Sequence, residues 1–178
     1  MLTFDKLLIL DRRLSARVVR FVSQASWLRI LAVWLTHTGD SVLWLVIAVV
    51  AIFWGNNMWR ALGNRMLLGT LAASLATWVL KWTFRRQRPP DAQLKIYSRL
   101  DQHAFPSGHA GRGACLTALL APVLPLWGGV GLVAWTLLVG LSRVGLAMHL
   151  LSDIVGGWIT GLVVGGVLLW LGAVYGLI

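Results

Sequence analysis

Cysteine is almost absent from this 178-residue chain, and glutamate is absent altogether. The single Cys115 excludes an intrachain disulfide and a cysteine metal cluster. It lies in an apolar run, where packing is its expected role. All six acidic residues are Asp, and no carboxylate cluster or Cys/His set is available to hold a metal. Charge is scarce as well: 12% of residues, where a soluble domain carries about 25%. That excludes an ordinary soluble fold. A cleavable signal is also missing, because the N-terminus alternates charged and apolar residues. The first membrane helix is therefore expected to serve as its own insertion signal.

What is present is apolar. Hydrophobic residues make up 58%, with uncharged runs at Ser41–Trp59, Met66–Leu80, Gly113–Ser142 and Ile154–Ile178. A bilayer crossing takes roughly 20 mostly apolar residues. The pattern predicts an all-α, integral-membrane helical bundle forming a single domain over residues 1–178. Lys and Arg number 16 against the six acids. A membrane surface and a phosphate ligand account for that excess better than nucleic acid does.

Residues 4–30 repeat Leu7, Leu10, Leu14, Val18, Phe21 and Leu28 at helical spacing beside a stripe of Arg13, Arg17 and Arg20. This suits an amphipathic helix lying in the headgroup plane. The alternative is a crossing over 18–36. It would bury Arg20 and Arg29, at roughly 3 kcal/mol for each mid-bilayer charge. Thr38-Gly39-Asp40-Ser41 reads as a break and an N-cap. Five crossings follow, over about 41–53, 62–82, 107–123, 130–148 and 152–175. With 18–36 there would be six. Gly157, Gly161 and Gly165 recur every four residues and suit close helix packing within the chain.

Three clusters carry chemistry. Lys81 closes one crossing and Arg88-Pro89 follows seven residues on; Arg offers phosphate a planar fork, Lys a compact charge. Arg85 and Arg86 beside them fit the positive flank of a membrane helix. The second cluster is Pro106-Ser107-Gly108-His109. Here Ser107 can cap a helix whose free N–H groups face an anion, Gly108 allows close approach, and His109 can move a proton. Ser142-Arg143, His149 and Asp153 form the third. His149 and Asp153 share a face if the segment is helical, so that the carboxylate holds the imidazole.

Together these residues resemble the type-2 phosphatidic acid phosphatase (PAP2) superfamily, which includes lipid phosphate phosphatases and vanadium haloperoxidases. Its motifs Lys-x6-Arg-Pro, Pro-Ser-Gly-His and Ser-Arg-x5-His-x3-Asp all stand here at full spacing. The resemblance covers about residues 40–175, the expected catalytic core, with residues 4–30 as the amphipathic helix ahead of it. It implies that His149 attacks phosphorus to form a phosphohistidine, that Asp153 orients it, and that His109 protonates the leaving oxygen and then helps activate water. Lys81, Arg88, Ser107, Gly108 and Arg143 are implied to hold the phosphoryl oxygens, with no metal and no cofactor. Arg112, one turn after His109, resembles the polyisoprenoid (presqualene) diphosphate phosphatase branch and is a candidate for a second phosphate or headgroup. A bond to a carbonyl or to Asp101 is its plainer role.

The expected activity is release of phosphate from a membrane lipid phosphate, with a prenyl or polyprenyl (di)phosphate favoured and phosphatidate or phosphatidylglycerophosphate as the alternative. A non-catalytic lipid-binding protein would show a broken motif, and none is broken. A soluble haloperoxidase is excluded by shortness and apolarity. Five crossings put the N-terminus and the site on one side of the cell (inner) membrane, with most of the Lys and Arg. By the positive-inside rule that side is the cytoplasm. Six crossings would move the site outside.

Overall fold

The computed structural model describes residues 4–88 and 103–175. Pro89, Pro90, Lys95, Arg99 and Asp101 lie outside the described residues. Among the described residues, seven α-helices occur in the order α1 (Phe4–Ser23), α2 (Ser26–Thr38), α3 (Ser41–Trp54), α4 (Asn57–Phe84), α5 (Gly108–Leu120), α6 (Leu126–Gly145) and α7 (Leu151–Tyr175). A 3-10 turn, Ala121–Val123, separates α5 from α6. The bundle is apolar on the outside: Val46, Val50, Leu71, Leu75, Ile159 and Val163 are all exposed. In water such a surface would aggregate. In lipid it is the expected one, since helices satisfy their own backbone groups. Helices α4, α6 and α7 are each long and apolar enough to cross a bilayer.

The amphipathic pattern at the N-terminus ends earlier than residue 30. Helix α1 stops at Ser23, and α2 leaves it at a bend of 113°. The residues of the alternative crossing, 18–36, are thus divided between two nearly perpendicular helices. The arginine stripe of α1 faces outward, while Val18 packs against the Ala110, Val144 and Ile154 cluster.

The first crossing also differs from the expected 41–53. Ala32 of α2 packs on Leu146 and Met148 beyond the end of α6. Thr36 Oγ1 lies 2.9 Å from Ser142 Oγ, and Thr38 Oγ1 accepts from Trp135 Nε1 at 2.9 Å. Trp44 of α3 then packs at a tilt against Trp135, and Ala48 joins Leu116 and Leu120. These contacts run steadily backward along α6 and then down α5. So α2 and α3 form one path across the bundle, broken at Gly39-Asp40. With α4, α5, α6 and α7 this makes five passes through the bundle among the described residues, of which α4, α6 and α7 are by themselves long and apolar enough to cross a bilayer. At its start α4 extends past the expected residue 62, to Asn57, because Asn56 Oδ1 caps the Trp59 N–H at 3.1 Å.

Helix α5 is the central one, packed on α4, α6 and α7. The glycine repeat of α7 is what lets it in. A methyl at Gly161 would sit 2.0 Å from Gly111 O, and one at Gly157 would sit 2.5 Å from Ser107 O. This small-residue face packs inside the chain, where backbones meet directly. Cys115 is fully buried with Ala73 and Leu119.

Candidate active site

Four segment ends meet at one end of the bundle: the end of α4, the start of α5, the end of α6 and the start of α7. They enclose a cavity of about 430 Å³ lined by Lys81, Arg88, Gly108, His109, Arg112, Arg143 and His149, with Asp40 and Ser41 from the α2–α3 break. The two expected histidines and the expected cations are therefore together. Ser107 stands at the N-cap of α5, but its side chain makes no capping bond. Its buried Oγ has no hydrogen-bond partner among the described residues. A Cβ at Gly108 would lie 3.4 Å from Arg112 Nη1, so any side chain there would intrude on the cationic space.

The local sequence explains the placing of each group. Lys81, in the last turn of α4, donates Nζ to His103 O at 2.8 Å. Arg85 follows in the left-handed region (φ 46°) and turns the chain back, so that Gln87 pairs with His103 and Ala104 N donates to Arg86 O. This brings Arg88 Nη1 to 3.3 Å from Met148 O and 3.4 Å from His149 Nε2. Helix α6 ends in a Schellman motif, with Ala147 at φ 56°, Ala147 N bonded to Val144 O and Met148 N bonded to Arg143 O. The turn therefore bonds back onto the residue that supplies the guanidinium. Arg143 itself is 1% exposed.

His149 lies in the linker between α6 and α7, not on a helix as the four-residue spacing suggested. Asp153 occupies the first turn of α7 and reaches back to accept the Leu150 N–H at 2.9 Å, while its own N–H donates to Leu150 O. This is one half of a capping box. It turns Asp153 Oδ2 toward His149 Nδ1, at 3.6 Å. The pairing thus comes from a helix start and the loop before it.

Sequence reasoning missed four contributors. Arg86, taken as a membrane flank, donates Nη1 to Asp153 Oδ1 at 2.9 Å and to Ser152 Oγ at 2.7 Å. Asp153 is fully buried, and stripping a buried charge of its partner costs about 3–5 kcal/mol. Asp11 and Ser15 of α1 complete the α7 cap: Ser152 N donates to Asp11 Oδ1 at 3.1 Å, and Leu151 N donates to Ser15 Oγ at 3.0 Å. The fourth is Asp40, whose Oδ1 lies 2.9 Å from His109 Nε2 and whose Oδ2 lies 3.0 Å from His37 Nδ1. Its one signal in the sequence was a reading as an N-cap. It stands at that position, but its carboxylate makes no cap bond. Arg112, the candidate for a second phosphate, lines the cavity and donates Nη2 to Gly39 O at 3.1 Å.

Residues 62–174 match the PAP2 superfamily model. Phosphatidylglycerophosphatase B of Bacillus subtilis (strain 168) is 32% identical over 151 residues, which cover 76% of this chain and 71% of that protein. The crystal structure of a transmembrane PAP2-type phosphatidylglycerolphosphate phosphatase from Bacillus subtilis superposes with a TM-score of 0.80 at 27% identity, over 98% of this chain and 90% of that one. Aquifex aeolicus LpxE shares the fold, with a TM-score of 0.71 at 20% identity over 90% of this chain and 95% of that one.

Proposed function

The chain belongs to the PAP2 superfamily and is a membrane lipid phosphatase, and within that class we propose that it hydrolyses the phosphate monoester of a glycerolipid, phosphatidylglycerophosphate or phosphatidate, through a phosphohistidine at His149. The observation that carries the mechanism is His149 set between Arg88 and Asp153. Nδ1 faces the carboxylate, which leaves Nε2 to attack phosphorus. Asp153 stabilises the imidazolium that forms. Lys81, Arg88 and Arg143, with the Ser107 hydroxyl and the Gly108 N–H at the start of α5, stabilise the charge on the phosphoryl oxygens. The P–O bond to the lipid breaks as the P–N bond forms, and His109 gives its proton to the departing oxygen. A water then attacks phosphorus and passes a proton to His109 as the P–N bond breaks, which releases inorganic phosphate and restores His149.

Arg112 lines the cavity and is also tied to the α2–α3 break through the Gly39 carbonyl. The substrate assignment rests on the two Bacillus subtilis relatives, which are named as phosphatidylglycerophosphate phosphatases. This shifts the reading from the prenyl diphosphate favoured on the sequence to its glycerolipid alternative. Purified protein in detergent with EDTA, given phosphatidylglycerophosphate, phosphatidate and prenyl mono- and diphosphates, is expected to release phosphate fastest from the glycerolipids. Arg112→Ala is expected to slow mono- and diphosphates by equal factors. Preference for the diphosphate, with a loss in Arg112→Ala confined to it, restores the prenyl reading.

The charge distribution supports a site that faces the cytoplasm across the inner membrane. Helix α1, with Lys6, Arg12, Arg13, Arg17 and Arg20, is bonded to the site end of the bundle, which also carries Arg85 and Arg86. Arg60 and Arg65 sit at the start of α4, the opposite end. The positive-inside rule then keeps the site end inside. In a Cys115→Ser background, a cysteine at Gln87 is expected to resist a membrane-impermeant maleimide in intact spheroplasts, and one at Asn57 to react. The opposite pattern refutes the cytoplasmic assignment.

A further inference from the structure

The geometry points to Asp40 as the positioning residue that holds His109 ready as the proton donor, an inference that rests on the proposed role of His109. A carboxylate only accepts hydrogen bonds, so the contact of 2.9 Å places the proton of His109 on Nε2. Nδ1 is then the nitrogen that meets the leaving oxygen, at the start of α5 where His109 lines the cavity. A negative charge beside the imidazole also stabilises its protonated form, which is the form a general acid must have before it can donate.

The surroundings require such a counter-charge. His109 is 7% exposed and shares the cavity with Lys81, Arg88, Arg112 and Arg143. A fifth positive charge forming among four fixed ones is opposed unless an anion touches it. Asp153 is already engaged by Arg86 and the Leu150 N–H on the far side of His149. Among the described residues, Asp40 is the carboxylate that reaches His109.

The fold is arranged around that contact. The break between α2 and α3 falls at Gly39-Asp40, halfway along their path across the bundle. A methyl at Gly39 would lie 2.8 Å from Val139 Cγ1 and 2.9 Å from His109 Cδ2, so only glycine lets the break approach the imidazole this closely. Arg112 holds the Gly39 carbonyl, and His37 holds the second oxygen of Asp40. An aspartate just ahead of a helix would ordinarily cap it. Here the side chain leaves the α3 N–H groups uncapped and spends both oxygens on histidines.

The test compares leaving groups. Asp40→Asn keeps the shape of the side chain and removes its charge. An alkyl ester such as phosphatidate leaves as a basic alkoxide and needs a proton, whereas p-nitrophenyl phosphate leaves as a stable phenolate and needs little help. Asp40→Asn is expected to lower kcat/KM on phosphatidate about 10²-fold, the lower end of a general-acid contribution, with a loss on the aryl ester about tenfold smaller. Activity on the aryl ester also reports that the variant is folded. Equal losses on the two substrates would overturn the proposal and leave Asp40 a structural pin. His109→Ala, run in parallel, separates the two readings. If it discriminates between the esters and Asp40→Asn does not, only the role of Asp40 fails. If neither discriminates, His109 is not the acid, and both readings fall.

Discussion

His149→Ala is expected to remove turnover on every substrate, aryl esters included, and to abolish acid-labile labelling by a ³²P-lipid phosphate. The nucleophile divides one difficult displacement into two easier ones, and the charged groups beside it are poor substitutes. Lys81, Arg88 and Arg143 are held as cations by function, and Asp153 is buried behind Arg86 and the Leu150 N–H. The phosphate cradle remains in the variant, so lipid binding should persist while the rate falls by about 10⁴-fold or more, the scale seen when a catalytic nucleophile is removed. Residual turnover near the native rate would refute the phosphohistidine.

His109→Ala should behave differently. Its contribution is a proton in each step, worth about 10² to 10⁴-fold. With an alkyl lipid phosphate the first step slows and little intermediate builds up. An aryl ester bypasses the need for acid in that step, but water still lacks its base in the second. The variant should therefore show a burst of aryl alcohol close to one per enzyme, then a slow phase, with phosphate trapped on His149. Linear release without a burst would place His109 outside the second step.

The class of the protein and the inner wall of its site were legible in the sequence, because the information there is local. A run of uncharged residues longer than a bilayer is thick needs no tertiary contact to be read. Lys81, Arg88, Ser107, Gly108, His109, Arg143, His149 and Asp153 stand in short motifs with fixed internal spacing, and the cavity contains or adjoins all of them. The glycine repeat of α7 was likewise local, and its partner proved to be α5.

Where the spacing rule relied on a helix that does not exist, it reached the right pair by the wrong route. His149 and Asp153 meet across a loop and a cap, because a carboxylate at the third helical position turns back toward the residues before the helix. The amphipathic N-terminal helix was readable from its period. Its bonds to α7 were not, since Asp11 and Ser15 lie far from Ser152 and Leu151 in the chain.

The sequence by itself determined that this chain is a membrane protein carrying a cluster of cations with two histidines, since hydropathy and motif spacing are properties of neighbours along the chain. Only the tertiary structure decided which charges restrain those histidines. Arg86 meets Asp153 across 67 residues and Asp40 meets His109 across 69. An isolated Arg or Asp has no periodicity to mark it. Its role comes from the partner that folding brings to it, inside a bundle where an unpaired charge is costly.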